Sequence, residues 1–322
     1  MEDLKFRRIV SSRHRVEFLA FSSSKRWGTL LGACFGDYSV RLYDCSGNEE
    51  AVLLACFTEH ASNVWGLCFS SDGSLLASCS SDKQLIVYSV DQVSVLKVLT
   101  LHSGTVWSCK FTSQKLLASA SEDCTVKITS VNTGDVSSTV SFNLPLESLD
   151  ISKEKELMCV SASRYGKVWI LASQESKPIE VYSSEVGVHA VQFIRDNKDT
   201  EYLVVSTQSH AILVYLMTDV LVNASCNSPP AFVLEGHCNI IWRFCSISNE
   251  CSTTLISASG DKTVRFWDLI TRKCVHVLRY FQGSLDPNSQ ILACDFIQGK
   301  EDYSKLSIGT YDGCIYIGNL VE

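Results

Sequence analysis

Histidine, serine and aspartate recur together three times in this chain of 322 residues. His60, Ser78 and Asp82 make one set, His102, Ser119 and Asp123 a second, and His237, Ser257 and Asp261 a third. These are the side chains of nucleophilic hydrolysis: a hydroxyl that attacks, an imidazole that takes its proton, and a carboxylate that holds the imidazole tautomer. A catalytic set ordinarily occurs once in a chain. A set repeated at one step of several units reads instead as scaffolding. Trp267 and Tyr88 stand at a matching later step in two units, and Thr129 takes that step in the third.

Other chemistries find little support in the residues. No His-x-x-x-His, paired-cysteine knuckle or calcium-loop pattern is present, so no metal is expected. Phosphate-binding glycine loops are missing as well, and no cofactor is expected. Glu17 and Glu147 are candidates for an acid–base pair, but three repeat units separate them. The net charge of −7 argues against direct nucleic-acid binding, which needs clustered cations. No run of eighteen apolar residues occurs, so no membrane span is expected. The opening residues Met1-Glu2-Asp3-Leu4-Lys5 lack an apolar signal region. Fifteen cysteines, an odd number without Cys-x-x-Cys, then read as reduced structural thiols in a cytoplasmic protein, with the nucleus an open possibility. Cys68, Cys109, Cys245 and Cys294 fall inside strand-like runs, where a thiol packs as a small hydrophobe.

The elements that carry these residues repeat. Trp65, Trp107 and Trp242 occupy one step of three imperfect units. Apolar runs begin at Val16, Val64, Val106, Leu146, Val188, Ile241 and Ile291, at spacings of 48, 42, 40, 42, 53 and 50 residues. Each run is followed by a second run, a tight polar turn, a third run and usually a weaker fourth. The turns centre on Asp37, Asp82, Asp123, Tyr165, His210, Asp261 and Asp312. Short runs rich in Val, Ile, Leu and Phe, bounded by Gly, Ser, Asp or Asn, are strand grammar. Four short strands about every 45 residues is the period of a β-propeller.

At Gly236-His237, Leu255-Ile256-Ser257-Ala258-Ser259-Gly260-Asp261 and Trp267-Asp268 the chain resembles the WD-repeat family. The units at 60–88 and 102–130 are close to that pattern, the one at 35–44 is partial, and units four, five and seven lack the Gly-His and Trp-Asp pairs. The resemblance implies an all-β fold: one seven-bladed propeller over 1–322, with four-stranded antiparallel blades. It implies that His, Ser, Asp and a third-strand aromatic bond one another inside a blade. It also places Glu17, Trp65, Trp107, Glu147, His189, Trp242 and Leu292 at the top entrance of the central channel, where the family holds partner peptides. Aromatic side chains there suit a binding hot spot, and carboxylates beside them suit a cation.

The seventh unit lacks a fourth strand, and residues 4–10 offer a spare one, so we expect the N-terminal strand to close the ring and remove an exposed edge. Two loops break the symmetry: 281–290 on the top face, and an insertion at 217–230 on the opposite face. Phe6-Arg7-Arg8 resembles the Phe-Arg-Arg-Gly of phosphoinositide-binding propellers, but Ile9 replaces the glycine. Trp267-Asp268-Leu269-Ile270 lacks the arginine by which some family members join cullin-type ligases. The expected function is a non-catalytic scaffold for other proteins within a multiprotein complex. The alternatives are an enzyme at the channel mouth and a phosphoinositide-binding propeller.

Overall fold

The computed structural model describes residues 6–24, 28–47, 51–112, 116–152, 157–171, 177–196, 198–223, 229–248, 252–279, 289–298 and 304–320. Their strands form seven antiparallel sheets of four. Blades 1 to 6 span 16–57, 64–99, 106–141, 148–183, 188–234 and 241–278, each with strands in sequence order from the channel outwards. Blade 7 takes its inner three strands from 291–320 and its outer strand from Phe6–Ser11. That strand runs antiparallel to Cys314–Leu320, with Phe6 opposite Gly318. A Cβ on Gly318 would lie 2.7 Å from the Phe6 ring, so the closing contact needs glycine there. The expected closure is therefore the observed one; of the expected strand, residues 4 and 5 lie outside the described chain.

A blade is a thin twisted sheet that cannot bury its faces alone. Its apolar side chains alternate between two faces, and each face packs on a neighbour. The described core accordingly resolves into seven clusters, one at each blade interface. The tight turns between second and third strands share one chemistry. In each blade one residue takes a left-handed conformation: Tyr38, Lys83, Cys124, Gly166, His210, Lys262 and Gly313, with φ between 57° and 83°. Four of these turns are locked by aspartate, whose carboxylate accepts the backbone N–H two residues on, at Asp37, Asp82, Asp123 and Asp261.

The insertion after blade 5's third strand departs from the loop expected of it. Met217–Asn223 is a short helix. Met217 and Val220 are buried in the core between blades 4 and 5, with Leu221 against it. Apolar residues at i, i+3 and i+4 are a helix pattern, and this one is embedded in seven residues amid strand grammar. Residues 224–228, and residues 281–288 of the top loop expected at 281–290, lie outside the described residues.

Candidate functional site

The three His–Ser–Asp sets have hydrolase-like contacts in a place no substrate can reach. His60 Nδ1 lies 2.8 Å from Asp82 and Nε2 lies 2.7 Å from Ser78 Oγ. The corresponding distances are 2.9 and 2.8 Å at His102, and 2.7 and 2.7 Å at His237. Ser78, Ser119 and Ser257 are all 0% exposed, so their hydroxyls cannot meet a scissile bond. Each aspartate also accepts the backbone N–H that follows its histidine, at Ala61, Ser103 and Cys238. The network thus ties the entering loop to the inter-strand turn. Ser78 Oγ lies 3.2 Å from the Tyr88 hydroxyl, and Trp267 Nε1–H donates to Ser257 Oγ at 2.8 Å. In blade 3, Thr129 stands where those rings stand, and its Oγ1 has no partner among the described residues. Burial lowers the pKa of His60 and His102 despite the carboxylate beside each. The imidazoles are therefore neutral and donate Nδ1–H to aspartate. Burial opposes ionisation of Asp82, Asp123 and Asp261, but hydrogen bonds outweigh it and hold all three below the ordinary aspartate value.

The rim is set by β-bulges. In the inner strands of blades 1, 2, 3, 6 and 7, pairing with the second strand slips across one residue: Glu17, Trp65, Trp107, Trp242 and Leu292 respectively. A bulged residue leaves the ladder and its side chain is re-aimed. In blade 5 the slip covers His189 and Ala190, where Ser206 Oγ accepts the Ala190 N–H in place of a backbone carbonyl. In blade 4, Glu147 enters the sheet just before Ser148, its N–H bonded to Ser161 O. The seven residues expected at the channel entrance are thus the irregular first turns of seven inner strands, and all are half-buried.

Four of the seven form two aromatic pairs. Trp65 and Trp107, in blades 2 and 3, have ring centroids 4.9 Å apart. His189 and Trp242, in blades 5 and 6, are 5.7 Å apart. The two carboxylates are each met by an arginine. Arg15 bonds Glu17, and Arg164 lies 3.6 Å from Glu147. Burial raises the pKa of both glutamates, with the arginines pulling the other way. Leu292 of blade 7 stands between Trp242 of blade 6 and Glu17 of blade 1 in ring order.

Below the rim runs a channel of about 820 Å³, lined by inner strands of all seven blades. Two large side chains occupy its upper level, Phe18 and Arg243. The equivalent residues elsewhere are Gly66, Ser108, Ser148, Ala190 and Ala293, all small. Arg243 uses that space to reach across the ring. Its Nη1 donates to Trp242 O at 2.9 Å and its Nη2 to Trp65 O at 3.5 Å, with the guanidinium 4.6 Å from the Phe18 ring centre. Lower down, Lys110 lies 3.4 Å from Asp150. Asp150 and Asp295 each accept an N–H from the next blade's inner strand, at Phe193 and Phe21. Sequence reasoning missed Arg243, and its signal was the run of small residues at its own step. It also missed the exposed tyrosines at three top-face turns, Tyr38, Tyr165 and Tyr311, at 41%, 49% and 55% exposure.

The family model "WD domain, G-beta repeat" matches residues 51–89, 93–130 and 228–268. Each match begins in or just before the outer strand of one blade and ends with the third strand of the next. The sequence repeat is thus offset by one strand from the blade and links neighbours covalently. The chain is 26% identical over 290 residues, 87% of its length, to apoptotic protease-activating factor 1 of Danio rerio. It is 23% identical over 70% of its length to the transcriptional corepressor LEUNIG_HOMOLOG of Arabidopsis thaliana. It is 32% identical over 33% of its length to the Protein SEC13 homolog of Drosophila melanogaster. These alignments span only 21%, 27% and 32% of the three relatives.

Proposed function

Because the chain is a seven-bladed propeller of WD40 repeats, we propose that it is a non-catalytic interaction scaffold whose channel mouth receives a segment of a partner protein. The observation that carries this reading is the pair of aromatic contacts on opposite sides of the mouth, Trp65–Trp107 and His189–Trp242. Rigid, half-buried aromatics offer large contact area at low entropic cost, and Trp, Tyr and Arg are the side chains that dominate binding hot spots. Tyr38, Tyr165 and Tyr311 add exposed rings on the same face. Glu17, Glu147 and Leu292 complete the rim between the aromatic pairs. An acid–base pair at the mouth is unsupported, because each glutamate stands beside an arginine and in a separate part of the ring. The reading includes other proteins as partners, within a larger complex, and a cytoplasmic or nuclear setting.

The test compares the intact protein with a Trp65→Ala, Trp107→Ala double variant by affinity purification from native lysate. Truncating a buried hot-spot aromatic costs about 2 kcal/mol or more, roughly thirty-fold in affinity. The variant should lose partners while its circular dichroism spectrum and melting curve stay native. Retention of every partner at native affinity would move the site away from the rim.

A further inference from the structure

Arg243 is a cation with no ion pair; Glu17, already bonded to Arg15, acts on it only at longer range. The Arg243 guanidinium stands in the channel just under the rim, and no carboxylate lies within ion-pair distance of it among the described residues. Two backbone carbonyls and the face of Phe18 hold it, and Nε has no partner. Two neighbouring nitrogens are in the same condition. Trp242 Nε1 and His189 Nε2 are buried and have no protein partner among the described residues. The contrast with blade 2 is instructive. There, Trp65 Nε1–H donates to Ser81 Oγ at 2.7 Å. Blade 6 has Gly260 at the step of Ser81, so no hydroxyl is available to Trp242. Native proteins pair nearly all buried polar groups, and three unpaired nitrogens on residues of blades 5 and 6 at the channel mouth call for an acceptor from outside. His189 is kept neutral by burial and by His210, so it can present an N–H without adding charge.

Charge decides what that acceptor is. At the mouth, Arg15 and Glu17 cancel, as do Arg164 and Glu147, and Arg243 remains as one net positive charge. Deeper in the channel, Lys110 and Arg195 stand with four carboxylates, Asp150, Asp199, Glu201 and Asp295, which leaves two net negative charges. The surrounding top face also carries acidic residues, among them Glu59, Glu122, Glu185 and Glu235. A run of acidic residues would be repelled there. A single carboxylate placed at Arg243 would not.

We propose that the partner segment received at the rim anchors itself by one carboxylate, accepted by Arg243 Nε–H and by the Trp242 and His189 side of the mouth. This rests on the rim reading above and specifies the chemistry of its occupant. Arg243 then does two things: it ties the carbonyls of Trp65 and Trp242 across the ring, and it selects the anchor.

The test is a selection of random displayed peptides on the intact protein, followed by anisotropy titrations of the selected sequences. Binders should depend on Trp65 and Trp107 and share one Asp or Glu. Exchanging that residue for Asn or Gln, or making Arg243→Gln in the protein, should each weaken binding on the order of thirty-fold or more. The two changes together should be little worse than either one, because they remove the same contact. Arg243→Lys should lie between, since a point charge replaces a fork. Binders that need the tryptophans but carry no shared carboxylate, or whose losses multiply in the double exchange, overturn the anchor and leave the rim reading standing. Binders indifferent to the tryptophans, or no binders at all, overturn both. Melting curves accompany each variant; should Arg243→Gln unfold, Arg243→Lys with the peptide exchanges still yields the coupling.

Discussion

The triad residues act on stability, and their geometry ranks their effects. Ser257 Oγ meets both His237 Nε2 and Trp267 Nε1, whereas Ser119 in blade 3 meets His102 without an aromatic donor. Removing a hydroxyl costs about 1–3 kcal/mol per buried group left unpaired. Ser119→Ala should therefore lose about that much in urea unfolding and Ser257→Ala clearly more, with no change in partner binding for either. Acid should act through the same residues. His60 and His102 take up protons less readily when folded than at their ordinary value of 6.5. As pH falls below 6.5 the unfolded chain gains protons first, and stability declines. Asp82, Asp123 and Asp261 sit below their ordinary 3.8, so their contribution is whole above that pH and is lost further down. Unfolding free energy measured from pH 8 downwards should fall in two stages, and His60→Gln with His102→Gln should flatten the first.

Strands and their irregularities were legible to different degrees. Short apolar runs and tight polar turns, five of them centred on aspartate, gave all seven blades, because each blade repeats the same burial problem. The missing fourth strand of unit seven pointed to Phe6–Ser11, since an unpaired sheet edge is unfavourable. Deleting residues 1–11 should lower the melting temperature and promote self-association, measured by calorimetry and sedimentation. Unchanged melting would contradict the pairing with Cys314–Leu320. The positions of the rim residues were also legible, as the step after the first aliphatic of each inner strand. Their contacts were not. That Arg15 engages Glu17, or that Arg243 of blade 6 reaches a carbonyl of blade 2, depends on side-chain reach across a ring. Repeat spacing carries no information on reach. The Met217–Asn223 helix escaped for a different reason: seven residues are too few for periodicity to show.

At the scale of the whole ring, thiols recur where blades meet. Cys68 Sγ lies 3.8 Å from Cys109 Sγ between blades 2 and 3, and Cys245 Sγ lies 3.8 Å from Cys294 Sγ between blades 6 and 7. Both pairs use the fifth residue of one inner run against the fourth of the next. Burial raises the pKa of Cys68 and Cys245; at Cys109 the hydrogen bond with Cys68 pulls the other way, but the Cys79 thiol and burial outweigh it and raise the pKa, so these three sulfurs stay protonated and poorly nucleophilic. Among the described cysteines, alkylation of native protein should reach Cys56 and Cys238 first, the two that are exposed, and the four paired thiols only on unfolding. Mass spectrometry of timed alkylation would show the order; stoichiometric disulfides in freshly prepared protein would refute it.

The contact that seals the ring joins Phe6 to Gly318, nearly the full described length of the chain apart. On a ribosome adding about 5–20 residues per second, the first strand waits for tens of seconds before its partner emerges. Six blades can assemble in that interval, each on the one before, but the circle stays open until the end. The vulnerable period in the life of this molecule is therefore its synthesis. A permuted chain that begins at Val16 and carries the Phe6–Ser11 strand after Leu320 would turn the slowest contact into a neighbouring hairpin, and should complete its circle sooner than the natural order allows.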